Sequence, residues 1–146
     1  MSVELFGNGD ARVREALAVR FAVFVDEQHV PPEIEIDEHD EPDDGDAVHA
    51  IVRRGETAIA TGRLYRRDPE TAQIGRMAVL REARRSGAGR ALLDALLDDA
   101  CRRGYRRARL SAQIHAIAFY EKAGFAVFGG VYDDAGIPHR DMEREL

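Results

Sequence analysis

From Gly89 onward the apolar residues Leu92, Leu93, Leu96, Leu97, Ala100 and Cys101 return every three or four positions, and Asp94, Asp98, Asp99 and Arg102 hold the opposite side. That period predicts an amphipathic helix ended by Gly104, with Cys101 on its buried face. An apolar stripe of this kind is stable only when something covers it. The flanking segments QIGRMAVL (residues 73–80) and ARLSAQ (residues 108–113) read as strands, so the helix is expected to link two strands of a sheet.

The remainder of the chain continues the mixture of strands and helices. VELF (residues 3–6) reads as a first strand, and GNGD is a turn in which Asp10 is placed to cap a helix. Val13, Leu17, Phe21 and Phe24 predict that helix over about residues 11–25, with Arg14 and Arg20 off its apolar stripe. AVHAIVRR and TAIATGRLYRR, joined at Gly55-Glu56, form a predicted hairpin, and Gly75 marks a local irregularity in the strand that follows. HAIAFYEKAGF reads as a short helix ended by Gly124, and FAVFGGVYDD and IPHRDMEREL as two strands joined near Gly136. This order predicts one α+β domain over residues 1–146, with a mixed central β-sheet flanked by helices on both faces.

Composition narrows the function classes. The 146 residues are 45% hydrophobic and 33% charged, an ordinary globular balance for one self-sufficient core. No apolar run approaches the roughly 20 residues of a transmembrane helix, and MSVELFGNGDARVRE lacks the basic start and apolar stretch of a signal peptide, so a cytoplasmic protein without a membrane partner is expected. With Cys101 the only cysteine, neither an internal disulfide nor a cysteine metal cage can form. The net charge of -6 argues against a nucleic-acid partner, but it is unevenly placed: nine of the fourteen residues 33–46 are acidic. An EF-hand reading of that run fails, because aligning Gly45 puts Pro42 at a ligand position and Ile51 where the bidentate acid belongs. Either it walls a pocket for a cationic amine, or it is a solvated loop.

RRSGAGRALL (residues 84–93) carries the chemistry. It has no third glycine for a dinucleotide fingerprint and no lysine for a Walker loop, so both nucleotide motifs fail. What remains is a strand, a glycine-bearing loop and a helix N-terminus, with unpaired backbone N–H groups over Ser86, Gly87, Ala88, Gly89 and Arg90. Small residues there let a phosphate approach the backbone, the helix dipole favours its charge, and Arg84, Arg85 and Arg90 add attraction. By motif alone the same stretch is equally a solvated turn before a helix.

Arg84-Arg85-Ser86-Gly87-Ala88-Gly89 resembles the RxxGxG signature of the GNAT superfamily of N-acetyltransferases. AIAFYEKAGF (residues 116–125), which carries Tyr120, is similar to that family's late helix, and RFAVFVDEQHVPPEIEIDEHD, AQIH and YDDAGIPHRDM resemble its small ElaA-like branch. The resemblance covers nearly the whole chain from about Arg12. It implies acetyl-CoA as donor and a primary amine of a small molecule or a protein as acceptor. The loop from Arg84 to Arg90 would bind the pyrophosphate. Backbone groups of Met77, Ala78 and Val79 would meet the pantetheine and the thioester carbonyl, on a strand that splays from its neighbour. An alkylamine has a pKa near about 10 and needs a base before it can attack. The resemblance places Tyr120 as the acid for the departing thiolate. It favours His139, in GIPH on the last strand, as the base, with His49, Glu27, Glu33, His115 or a water relay as the other candidates. Many relatives carry asparagine where Gln113 stands, and dimers are common among them. The other functional class is a noncatalytic acyl-CoA-binding domain that kept the loop and lost turnover.

Overall fold

Seven strands make one sheet in the order β1-β2-β3-β4-β5-β7-β6 in a computed structural model that describes residues 1–42 and 44–146. Asp43, in the acidic run, lies outside the described residues. The strands are β1 (Ser2–Gly7), β2 (Val48–Arg54), β3 (Thr57–Asp68), β4 (Thr71–Val79), β5 (Arg107–Gln113), β6 (Ala126–Asp134) and β7 (Ile137–Glu145). The helices are α1 (Val13–Arg20), α2 (Pro32–Glu35), α3 (Ala88–Arg102) and α4 (Ile117–Glu121). All neighbouring strands are antiparallel except β4 and β5, which α3 joins by a crossover. The mixed α+β sheet expected from the order of elements is therefore the fold. Among the described residues no helix is long and apolar enough to cross a membrane.

The period-2 alternation of the strands divides the core between the two faces. On β2, Val48, Ala50 and Val52 turn to α3, where Leu92, Leu93 and Leu96 are fully buried; Ile51 turns the other way, toward Ala16 of α1. Each of those leucines contributes about 1.5–3 kcal/mol by leaving water. Cys101 departs from the expectation: it is exposed. It lies at the margin of the stripe one residue before the helix ends, where Ala100 and Leu97 take the contact with the sheet.

The first helix differs more. α1 continues as one π-helical stretch, Phe21–Glu27, and the residues it buries are Ala16, Val19, Arg20 and Val23 rather than the expected stripe of Val13, Leu17, Phe21 and Phe24. Arg20, expected off the apolar stripe, is 1% exposed. Its Nε donates to Glu35 Oε2 at 2.9 Å and its Nη1 to Asp40 Oδ1 at 2.7 Å. Arg63 of β3 donates to Asp40 Oδ1 at 2.9 Å and to Asp37 Oδ1 at 2.7 Å. The acidic run is thus not a solvated loop at these positions. Glu35, Asp37 and Asp40 are drawn inward because buried guanidinium groups need anionic acceptors. Burial pushes the Asp40 carboxyl up, yet the hydrogen bond and charge of Arg20, with the charge of Arg63, outweigh it and hold the group below the usual carboxylate range.

On the same face His49 is buried, stacks on Phe6 and has Nε2 2.6 Å from Asn8 Oδ1. The Asn8 amide nitrogen donates to the His39 carbonyl at 2.7 Å, so the histidine must be the donor to Asn8 Oδ1. Burial pushes its imidazole down to about 4.

Two outcomes are expected. Arg20→Ala leaves buried carboxylates short of a partner and should cost about 3–5 kcal/mol, read from urea denaturation. For His49 the folded pKa lies below the unfolded one, so its stabilisation is full above pH 6.5 and is lost as the pH falls through about 4. The unfolding free energy should fall across that window, and His49→Gln should flatten the fall by about one proton.

Candidate active site

The parallel ladder between β4 and β5 runs only from Thr71 opposite Arg107 to Ile74 opposite Leu110. Beyond it β5 stays with β7 as far as Gln113 opposite His139, while β4 stays with β3, so the two strands part and a cleft of about 1000 Å³ opens between them. The irregularity expected at Gly75 lies one residue later. Arg63 opposes Gly75 and Thr61 opposes Ala78, leaving Arg76 and Met77 as a bulge, with Arg76 at φ 51°. Past the bulge, Leu80 N–H donates to the Ile59 carbonyl of β3 at 2.9 Å. Backbone groups alternate along a strand, so Val79, and Met77 two residues before it, turn theirs to the edge that β5 has left.

At the mouth of the cleft α3 begins. Its first backbone bond runs from Ala91 N–H to the Gly87 carbonyl, and Ala88 N–H leans on Ser86 Oγ at 3.3 Å. Among the described residues the N–H groups of Ser86, Gly87, Gly89 and Arg90 have no intramolecular acceptor. Gly87 stands at φ 88°, which an L side chain rarely adopts. Gly89 is different: a Cβ there would meet Phe119 at 3.5 Å and Val79 at 3.6 Å, ordinary contacts, so packing alone does not demand glycine. Gly89, Phe119 and Val79 line the cleft, whereas Ser86, Gly87, Ala88 and Arg90 lie outside its lining.

The charges of this loop are less available than its composition suggests. Arg84 donates both terminal nitrogens to Glu27, each at 2.7 Å, and its Nε to the Val79 carbonyl. The Arg84 hydrogen bonds hold the Glu27 carboxyl below its ordinary range. Arg90 is paired with Asp94 at 2.9 Å, the next turn of α3. Among the described residues only Arg85 of the three is without a carboxylate partner.

Tyr120 and His139 line the same cleft. Tyr120 comes from α4, its ring packed edge-on against Phe119 at 5.0 Å and Phe125 at 6.0 Å. It is thus a core aromatic as well as a cleft residue, and its hydroxyl has no hydrogen-bond partner among the described residues. Burial pushes the phenol well up, so it keeps its proton at neutral pH. His139, 9% exposed, has Nδ1 2.7 Å from the Ile137 carbonyl. A carbonyl only accepts, so Nδ1 carries the proton and, in the neutral ring, Nε2 presents a lone pair. Tyr132 stacks on this ring at 6.1 Å and donates to Asp141 Oδ1 at 2.6 Å.

The other candidate bases are placed differently. His49 and Glu33 do not line the cleft; Glu27 and His115 do, but Glu27 is engaged by Arg84. His115 Nε2 lies 2.7 Å from Gln113 Oε1. Gln113 also exchanges side-chain hydrogen bonds with Gln28, at 2.8 and 3.3 Å, bridging the cleft across 85 residues of chain. Sequence reading missed Gln28, and it missed Arg63 and Arg76 as contributors. The one available signal was two arginines placed inside otherwise strand-like segments.

The acetyltransferase (GNAT) family model matches residues 12–125. The chain is 34% identical to the uncharacterized N-acetyltransferase YjcF of Bacillus subtilis, over 97% of this chain and 98% of that protein. It is 34% identical to protein ElaA of Escherichia coli, over 89% of this chain and 85% of that one. The crystal structure of an acyl-CoA N-acyltransferase from Pseudomonas aeruginosa superposes with a TM-score of 0.86 at 32% identity, covering 98% of each chain. With a splayed sheet, an open helix N-terminus and these relatives, the chain belongs to the GNAT family of N-acetyltransferases, in its ElaA-like branch.

Proposed function

We propose that this protein moves an acetyl group from acetyl-CoA to a primary amine of a small molecule or a protein, by direct attack of the amine on the thioester. The observation that carries this reading is the cleft, which has backbone N–H groups without an acceptor at its mouth and, along its walls, a Tyr120 hydroxyl and a His139 Nε2 without a partner among the described residues. Bound acetyl-CoA supplies an acyl group activated as a thioester. The N–H groups of Ser86, Gly87, Gly89 and Arg90 suit the pyrophosphate, with the dipole of α3 behind them and Arg85 as the free charge. Arg84 serves the site indirectly, tying Glu27 to the end of β4.

Backbone groups of Met77 and Val79 suit the pantetheine, those of Ala78 being turned to β3 instead, and the outward edge of β4 supplies an N–H for the thioester carbonyl. His139 Nε2 takes the proton of the acceptor ammonium. Tyr120, protonated because it is buried, holds a proton on its hydroxyl for the departing sulfur. The acidic run does not supply the attraction for a cationic amine at Glu35, Asp37 and Asp40, because Arg20, Arg63 and Arg76 already neutralise them.

Gly89→Ala should fold at least as well as the wild type, since alanine is favoured over glycine inside a helix by about 0.5–1 kcal/mol. Its calorimetric affinity for acetyl-CoA should nevertheless fall; unchanged affinity would return the loop to an ordinary turn. Tyr120→Phe and His139→Ala should each lower turnover by about 100-fold or more in an amine-panel assay with thiol detection. Binding of acetyl-CoA without transfer to any amine would identify a noncatalytic acyl-CoA-binding domain instead.

A further inference from the structure

Arg76 occupies a conformation that its backbone disfavours. It stands at φ 51° in the middle of β4, where an ordinary strand residue would be extended. Such conformations persist when the surroundings over-determine them. The surroundings here are two carboxylate residues of the acidic run. Arg76 Nε lies 3.0 Å from Glu35 Oε2, and Nη2 donates to the Glu35 carbonyl at 3.2 Å and to Asp37 Oδ2 at 3.3 Å. These acceptors are themselves immobilised: Glu35 is buried and held by Arg20 of α1, and Asp37 is held by Arg63 of β3. The guanidinium is therefore anchored to two elements that do not belong to β4.

We propose that Arg76 is a positioning residue, clamped by Glu35 and Asp37 so that it holds the β4 bulge that aims the Met77 and Val79 backbone groups into the cleft. The clamp gives the acidic run its role. Glu35 and Asp37 act on the acyl-transfer site through a side chain and a bent strand, with no contact to the donor required of them. The catalytic consequence rests on the acyl-transfer reading above; the clamp itself does not.

Arg76→Ala and Arg76→Gly separate the clamp from direct action on substrate. Both lack the guanidinium, but glycine adopts positive φ without help and alanine does not. In ligand-free crystal structures Arg76→Ala should return position 76 to negative φ and slip the pairing of Ala78 with Thr61, and kcat should fall at least about tenfold. Arg76→Gly should keep the bulge and recover most of that loss. An alanine variant that keeps the positive φ and the wild-type pairing would overturn the proposal. So would a glycine variant that keeps the bulge yet is as slow as alanine, because the guanidinium would then act on the substrate. Should Arg76→Ala not fold, the glycine structure decides: a retained bulge with near-wild-type kcat supports the clamp, and a lost bulge or a low kcat refutes it. If the wild type transfers no acetyl group to any amine, the proposed function fails, while φ at position 76 and the pairing in the ligand-free variants still decide the clamp.

Discussion

Where the β4–β5 ladder stops, two strands that should share hydrogen bonds leave their facing edges open. A sheet normally satisfies those groups along its length, and an open edge inside a fold is unfavourable without a reason. Here β5 keeps its other neighbour, β7, to its last residue, and β4 keeps β3 through a bulge. The cost therefore falls on one side of each strand, the side that borders the opening. Because α3 is the crossover between these strands, it starts where β4 ends. Its free N–H groups face the mouth of the same opening for topological reasons, as binding crevices in sheets with parallel pairs lie beyond the carboxyl ends of the strands.

The second constraint is electrostatic. Arg20, Arg63 and Arg76 with Glu35, Asp37 and Asp40 form a connected group of three positive and three negative charges, most of it buried. Removing such ions from water is expensive, and a hydrophobic replacement would often be as stable. What the charges add is direction. Each guanidinium has a planar set of donors, so the network fixes the angle between α1, the acidic run, β3 and the bulge of β4. The same economy appears at the loop after β4, where Arg84 and Arg90 are spent on Glu27 and Asp94 and the backbone is left as the main ligand-facing surface.

Local features were the legible ones. The leucine period of α3, the hairpin of β2 and β3 with its turn at Gly55, the glycines before α3 and the short helix bearing Tyr120 all depend on neighbours within a few residues, so spacing and composition reveal them. Arg20 lies off the apolar stripe expected of the first helix, and no neighbour in the chain marks it for burial, because its partners Glu35 and Asp40 lie 15 and 20 residues away. Cys101 keeps the apolar spacing of α3, but that spacing does not say where the sheet ends. Gln28 and Gln113 each look like an ordinary polar side chain until the fold brings them together.

Most of the elements, the α+β order and the glycine-bearing loop before α3 can be read from the order of residues, because these follow from short-range geometry and side-chain period. Which charges are free and which are paired, where β4 bends, and which histidine has an open nitrogen beside the cleft emerge only once the chain is folded. Those properties depend on distances between residues far apart in the chain and on how much water each group has lost, and neither quantity is written in the order of the residues.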